Sequence, residues 1–166
     1  MSIFSKKTQM VLALLFCTGA ASAEEIRPGC YERVYSDAHL AGQPAQVVSE
    51  IRFYVGEWLT EVARRGALEV IAANQGHARR DDNAGRVMTQ FLFCGSETDE
   101  TVCQVECDGG SLFVTRQTGD SLTFRTRYLL VGNSEECGGQ MDLAEVPGQW
   151  VSYRLNRVST SVCEGM

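Results

Sequence analysis

Leu122-Thr123-Phe124-Arg125-Thr126-Arg127-Tyr128-Leu129-Leu130-Val131 is the stretch that decides the fold. Side chains of a β-strand point alternately to opposite faces, so a strand with one dry face repeats every two residues. Leu122, Phe124, Tyr128 and Leu130 fall on one face, and Thr123, Arg125 and Arg127 on the other. Thr118-Gly119-Asp120 just upstream is a turn in which glycine can take a positive φ, and Leu112 to Arg116 is the other arm of the hairpin.

The same period continues outward. Asp108-Gly109-Gly110 is a second turn, reached from Thr101–Cys107, where Thr101, Cys103, Val105 and Cys107 share a face. Between Arg86 and Cys94, Val87, Thr89, Phe91 and Phe93 oppose Met88, Gln90 and Leu92. Between Val47 and Val55, Ile51, Phe53 and Val55 oppose Glu50, Arg52 and Tyr54. Near the end, Val151, Tyr153 and Leu155 alternate with Ser152, Arg154 and Asn156, and Cys30 to Tyr35 is a short first strand. Trp58 to Asn74 reads two ways. As a helix it would stack Leu59, Val62, Gly66 and Val70, but an interior glycine costs a helix about 1 kcal/mol. Val70-Ile71 favours strands, so we expect a hairpin, Trp58–Arg64 and Leu68–Asn74, turning at Gly66. Ser36 to Pro44 predicts one helical turn, capped by Ser36 or Asp37 and ended by Pro44, and Asn74 to Arg86 a polar loop. The expectation is an all-β fold: an antiparallel meander of about eight short strands, a barrel or sandwich of lipocalin-like size, with one short helix.

Met1–Ala23 has the form of a secretory signal peptide. Lys6 and Lys7 precede the apolar run Met10–Phe16, and Ala21-Ser22-Ala23 supplies small residues for cleavage. The run is well short of the roughly 20 apolar residues that span a bilayer, so no membrane span is expected after cleavage. Residues 24–166 then form one domain, with no internal repeat or shift in composition. Both lysines and Cys17 leave with the signal. The net charge moves from −6 to −8, every remaining basic residue is arginine, and seven cysteines become six. This acidic balance argues against nucleic acid, whose phosphates require cationic neutralisation, and leaves a basic protein as a candidate partner.

Six cysteines in an exported chain read as a disulfide framework. A zinc site is the rival, but Cys103-x-x-x-Cys107 has no second close ligand pair, and the two histidines lie far away. Of the 15 connectivities that six cysteines allow, the preferred set is Cys30–Cys163, Cys94–Cys103 and Cys107–Cys137. It ties the chain ends together and staples a short acidic loop.

Cys30-Tyr31-Glu32-Arg33-Val34-Tyr35, continuing through Asp37-Ala38-His39-Leu40 to Pro44, resembles the opening of small secreted bacterial proteins of uncharacterised function. Val105-Glu106-Cys107-Asp108-Gly109-Gly110 is similar to an internal motif of that group. The resemblance implies a periplasmic, disulfide-containing β-protein and assigns no activity or site residue.

The candidate chemistry is sparse. His39 sits in the helical turn, where it can be a surface or capping residue. His77 lies in a polar loop with Arg79, Arg80, Asp81 and Asp82, which would suit acid–base chemistry in an enzyme or simply a solvated loop. Glu97, Asp99 and Glu100, with Glu106 and Asp108 nearby, could collect Ca²⁺, but their spacing is not that of an EF-hand and a solvated acidic loop explains them. Arg125 and Arg127 share a polar strand face, and Arg116 lies across the hairpin, forming a candidate anion-binding stripe. Trp58, Phe91, Phe93, Phe124 and Tyr128 read as core. There is no Gly-x-Ser-x-Gly elbow. The expectation is therefore a periplasmic or secreted, non-enzymatic binding or protein-interaction module that needs no cofactor. A lipocalin-like carrier of a small apolar ligand and an enzyme using the His77 loop are the alternatives.

Overall fold

A computed structural model of the chain describes residues 25–97, 100–132 and 140–166, the side chain of Glu97 excepted. Met1–Ala23 and Cys137 lie outside them. The elements in chain order are β1 (Gly29–Val34), α1 (Asp37–Gly42), β2 (Val48–Trp58), β3 (Ala63–Ala72), α2 (Gly76–Arg80), β4 (Val87–Glu97), β5 (Glu100–Gln104), β6 (Gly110–Gln117), β7 (Ser121–Val131), β8 (Met141–Asp142), β9 (Val151–Val158) and a final 3-10 turn (Thr160–Cys163).

Strands β1 to β7 form an antiparallel meander. β9 pairs with β7 on one side and β1 on the other, closing an eight-stranded barrel, and β8 adds a two-residue pairing to the end of β7. Closure leaves those eight strands without a free edge. At one end of the barrel lie α1, α2 and the 140–150 segment; at the other lie the β2–β3 and β6–β7 turns and residues 25–28. Ser36 caps α1, its hydroxyl accepting a hydrogen bond from the His39 N–H at 3.3 Å.

The interior is filled. Tyr31, Phe53, Leu68, Leu92, Leu112, Leu122, Phe124 and Leu155 expose none of their surface. A void wide enough for water would leave accessible area on its walls, so these side chains meet one another directly. Phe124 lies between the rings of Phe53 (centroids 6.1 Å apart) and Tyr153 (5.5 Å). The Tyr153 hydroxyl donates to the Leu143 carbonyl at 2.8 Å, anchoring the 140–150 segment to the barrel.

Cys30 is bonded to Cys163 and Cys94 to Cys103, the latter two directly opposite each other on β4 and β5. Cys107 is disulfide-bonded as well; the expected partner, Cys137, is outside the described residues.

Four sequence expectations need correction. First, the hairpin does not turn at Gly66. β2 runs on to Trp58, the turn occupies 59–62, and Gly66 sits inside β3 opposite Val55 and Leu92. It is glycine for a packing reason: a Cβ there would lie 2.7 Å from Cys94 Sγ. Second, Tyr128 is not on the Phe124 face. Between the pairs Phe113↔Arg125 and Ser111↔Tyr128, β7 carries one residue more than β6. This bulge shifts the alternation, so Leu129 and Val131 are buried while Tyr128 is 44% exposed. Third, Phe91 and Phe93 lie outside, because β4 turns Met88, Leu92 and Cys94 inward, and Trp58 is exposed as well. Of the five aromatics read as core, only Phe124 is buried. Fourth, the polar loop contains the short helix α2, with Ala78 buried.

Candidate functional site

The outer face of β6 and β7 carries a cluster of arginine and aromatic side chains. The bulge in β7 sets it up. Thr126 Oγ1 turns inward to donate to the Ser111 carbonyl at 2.8 Å, and Arg127 and Tyr128 then both face outward. Residues 146–149 deliver the other wall. Val146-Pro147-Gly148-Gln149 is a tight turn, with Gly148 at φ 75° and the Gln149 N–H donating to the Val146 carbonyl at 3.0 Å. Trp150 emerges from it 47% exposed, next to the Thr126↔Val151 pair.

Trp150 meets the Phe113 ring edge to face, with centroids 5.6 Å apart at 75°. The Arg125 guanidinium carbon lies 4.6 Å from the Trp150 centroid and 6.0 Å from that of Phe113, and the Arg127 carbon lies 5.4 Å from Trp150. Cation–π contact fixes both forks. Glu100 takes an ion pair from Arg125 at 3.2 Å. Arg125 Nε is shielded from solvent and has no acceptor among the described residues. These side chains, with Gly110, Ser111 and Tyr128, enclose a groove of about 400 Å³.

Of the predicted stripe, the structure brings Arg125 and Arg127 together but leaves Arg116 out of the groove. A second bulge, on β6, places Arg116 opposite Thr123, whose other neighbour is Arg154 on β9. Arg116 and Arg154 therefore extend the basic face beyond the groove. Sequence reasoning missed Phe113, Trp150 and Arg154. The parity of β9 contained two of them: with Val151, Tyr153 and Leu155 inside, Trp150, Ser152 and Arg154 must face out.

A local acidic cluster lies elsewhere on the barrel wall. On the outer face of β1–β3, Arg52 bridges Glu32 (2.9 Å) and Glu69 (2.6 Å) across the strands and also pairs with Glu50. The hydrogen bond to Glu32 is the main cause holding its guanidinium above the usual range, against the opposing effect of burial. This net acidic quartet is centred on β2. The groove arginines lie on β7, which two strands, β1 and β9, separate from β2 one way round the barrel and four strands the other, so the quartet and the groove occupy different sides.

Both histidines come to the α1/α2 end and act as struts. His77 Nε2 donates to the Ala144 carbonyl at 3.0 Å, so only Nδ1, 3.8 Å from Asp81, remains for proton transfer. Gln46 donates its amide to the Val48 carbonyl, which leaves its oxygen to accept from His39 Nε2 at 2.9 Å. Tyr35 stacks against His39 with centroids 4.8 Å apart, and burial pushes its phenol up to about 12. Burial also raises the Glu145 carboxyl, an effect that His39 partly offsets. Of the acidic loop, Asp99 and the Glu97 side chain lie outside the described residues, Glu100 is engaged by Arg125, and Glu106 and Asp108 are exposed. Among the described residues no group of three or more His, Cys, Asp or Glu side chains could hold a metal ion, and no helix is long and apolar enough to cross a membrane.

Fold and site together define a closed, disulfide-bonded antiparallel barrel with an external arginine–aromatic face. No family model, curated protein or solved structure matches the chain.

Proposed function

We propose that this is an exported, non-enzymatic interaction module that takes up an anionic partner on the outer face of β6–β7. The observation that carries the reading is the pair Arg125 and Arg127, stacked on Trp150 in a groove whose lining includes one carboxylate. Stacked guanidiniums are pre-oriented, so less side-chain freedom is lost when they bind a carboxylate, phosphate or sulfate. The disulfides favour an oxidising compartment such as the periplasm, in keeping with the signal-like Met1–Ala23 and with the resemblance in residues 30–44 and 105–110. Net charge had suggested a basic partner. The clustering of Arg116, Arg125, Arg127 and Arg154 on β6, β7 and β9 means that net charge does not choose the partner: the aromatic groove is on this basic side. A carrier with its ligand inside the barrel is disfavoured, because the aromatic and leucine side chains meet across the interior. The enzyme reading loses support because His77 is engaged by a backbone carbonyl.

A sulfated-polysaccharide column at neutral pH and low salt tests this. An exported chain of net charge −8 should flow through such a resin if charge were evenly spread. The wild type is expected to be retained and to elute with salt. Arg125→Ala/Arg127→Ala should pass unretained with unchanged circular dichroism, and Trp150→Ala should elute earlier. Flow-through of the wild type, or equal retention of the double variant, would refute the assignment.

A further inference from the structure

A second cleft lies away from the arginine groove, at the β2–β3 hairpin. The hairpin tip is rigid: Thr60 Oγ1 accepts from the Val62 N–H (3.2 Å) and the Ala63 N–H (3.0 Å), and the Leu59 N–H donates to the Ala63 carbonyl at 2.8 Å. It nevertheless presents Trp58, 48% exposed, and Val62, 75% exposed, to solvent. Trp58 is held in place. The Arg64 guanidinium carbon sits 4.0 Å from its ring centroid, and Arg64 in turn is fixed by Glu25 (2.5 Å) and the Gly56 carbonyl (3.3 Å).

Between this tip, Ile26 and the start of the β4–β5 turn lies a pocket of about 200 Å³. Its walls are Trp58 and Val62, with the buried Ile26 and Cys94 also bordering it. Gly95 leaves the pocket open where any other residue would place a side chain; a Cβ there would meet the Val62 carbonyl at 2.6 Å. The charges at the rim, Arg64 and Glu25, neutralise each other. Ser96, an exposed residue, adds one hydroxyl to the lining.

We propose that this pocket binds a small neutral molecule with a single aromatic ring and one hydroxyl, a phenol in chemical class. The volume is below the roughly 300–1,000 Å³ of sites for drug-sized ligands, which limits the occupant to one ring. The indole wall favours an aromatic face. The neutralised rim favours an uncharged ligand, and the Ser96 hydroxyl supplies its polar contact. The ligand-binding capacity sought inside the barrel is thus placed on its flank.

Trp150→Phe leaves Trp58 as the only tryptophan and so as the reporter. Titrating this variant with phenol should change Trp58 emission saturably, with half-saturation in the millimolar range. Ser96→Ala should weaken phenol roughly 3–10-fold, the worth of one neutral hydrogen bond, and leave toluene unaffected. Ser96→Leu, at an exposed strand position, should fill the pocket and abolish saturation; Val62→Ser removes a wall and serves if Ser96→Leu fails to fold. Linear quenching equal to that of free N-acetyltryptophanamide would overturn the proposal. So would saturation unaltered by occlusion or by loss of the Val62 wall.

Discussion

Removing the two disulfides separately should have unequal costs, and the structure says by how much. A cross-link stabilises mainly by restricting the unfolded chain, in proportion to the logarithm of the loop it closes. Cys30–Cys163 spans 133 residues, which gives about 5 kcal/mol at 25 °C; Cys94–Cys103 spans 9, which gives about 2.6 kcal/mol. The expected gap is about 2.4 kcal/mol in favour of the terminal bridge. Packing works against this order: Cys94 and Cys103 are both fully buried, whereas Cys163 retains slight exposure, so alanine replacement leaves at least as large a hole at the inner pair. The assay is urea denaturation of Cys30→Ala/Cys163→Ala and Cys94→Ala/Cys103→Ala under oxidising conditions, followed by tryptophan fluorescence. Because the terminal bridge also compacts the unfolded chain, its loss should raise the denaturant slope, while loss of the inner bridge should barely move it. Equal or reversed costs with unchanged slopes would refute the reasoning. Stability would then reside in contacts of the native bridges and not in chain entropy.

Two smaller perturbations bear on packing and charge. Gly66→Ala should cost about 1–3 kcal/mol, since its methyl group would crowd Cys94 Sγ at 2.7 Å and Leu92 Cβ at 3.1 Å. In a Cys94→Ala/Cys103→Ala background much of that penalty should vanish, a coupling that a double-mutant cycle in urea measures directly. Glu145→Gln should raise the melting temperature at neutral pH. Burial raises the Glu145 carboxyl in the folded state, so the native chain binds the proton more tightly than the unfolded one, and stability is lost as pH rises through the folded-state value. Glutamine has no such loss, so its advantage should disappear below the ordinary carboxylate range. A variant that melts below wild type at neutral pH would contradict this.

The fold was legible where one strand face was largely polar and no bulge interrupted the alternation, as one does at Tyr128. Ile51, Phe53 and Val55, and likewise Tyr153 and Leu155, point inward as their alternation says. Legibility ended where both faces are apolar, as in β4: Phe91 and Phe93 are larger than Met88 and Leu92, yet they lie outside. Size does not decide which face is dry when closure of the barrel sets the strand's rotation. Gly66 misled because glycine marks turns more often than it marks close approach to a side chain. The site was half visible. Arg125 and Arg127 follow from strand parity, but their partners Phe113 and Trp150 come from another strand and from the residue after a turn. Only the pairing of β6, β7 and β9 brings them together.

The extra residue in β7 makes this region respond differently to two kinds of genetic change. Substitutions at Arg127 or Tyr128 alter an exposed side chain and leave the pairing intact. Deleting Arg127 would instead remove the extra residue: Ser111 would still face Tyr128, now across a regular ladder, and Leu129 and Val131 would stay inside. What such a deletion takes away is the second of two consecutive outward side chains, and with it one of the groove's two arginines. The bulge therefore serves the groove and not the core, and a shorter β7 would keep the barrel while losing the site.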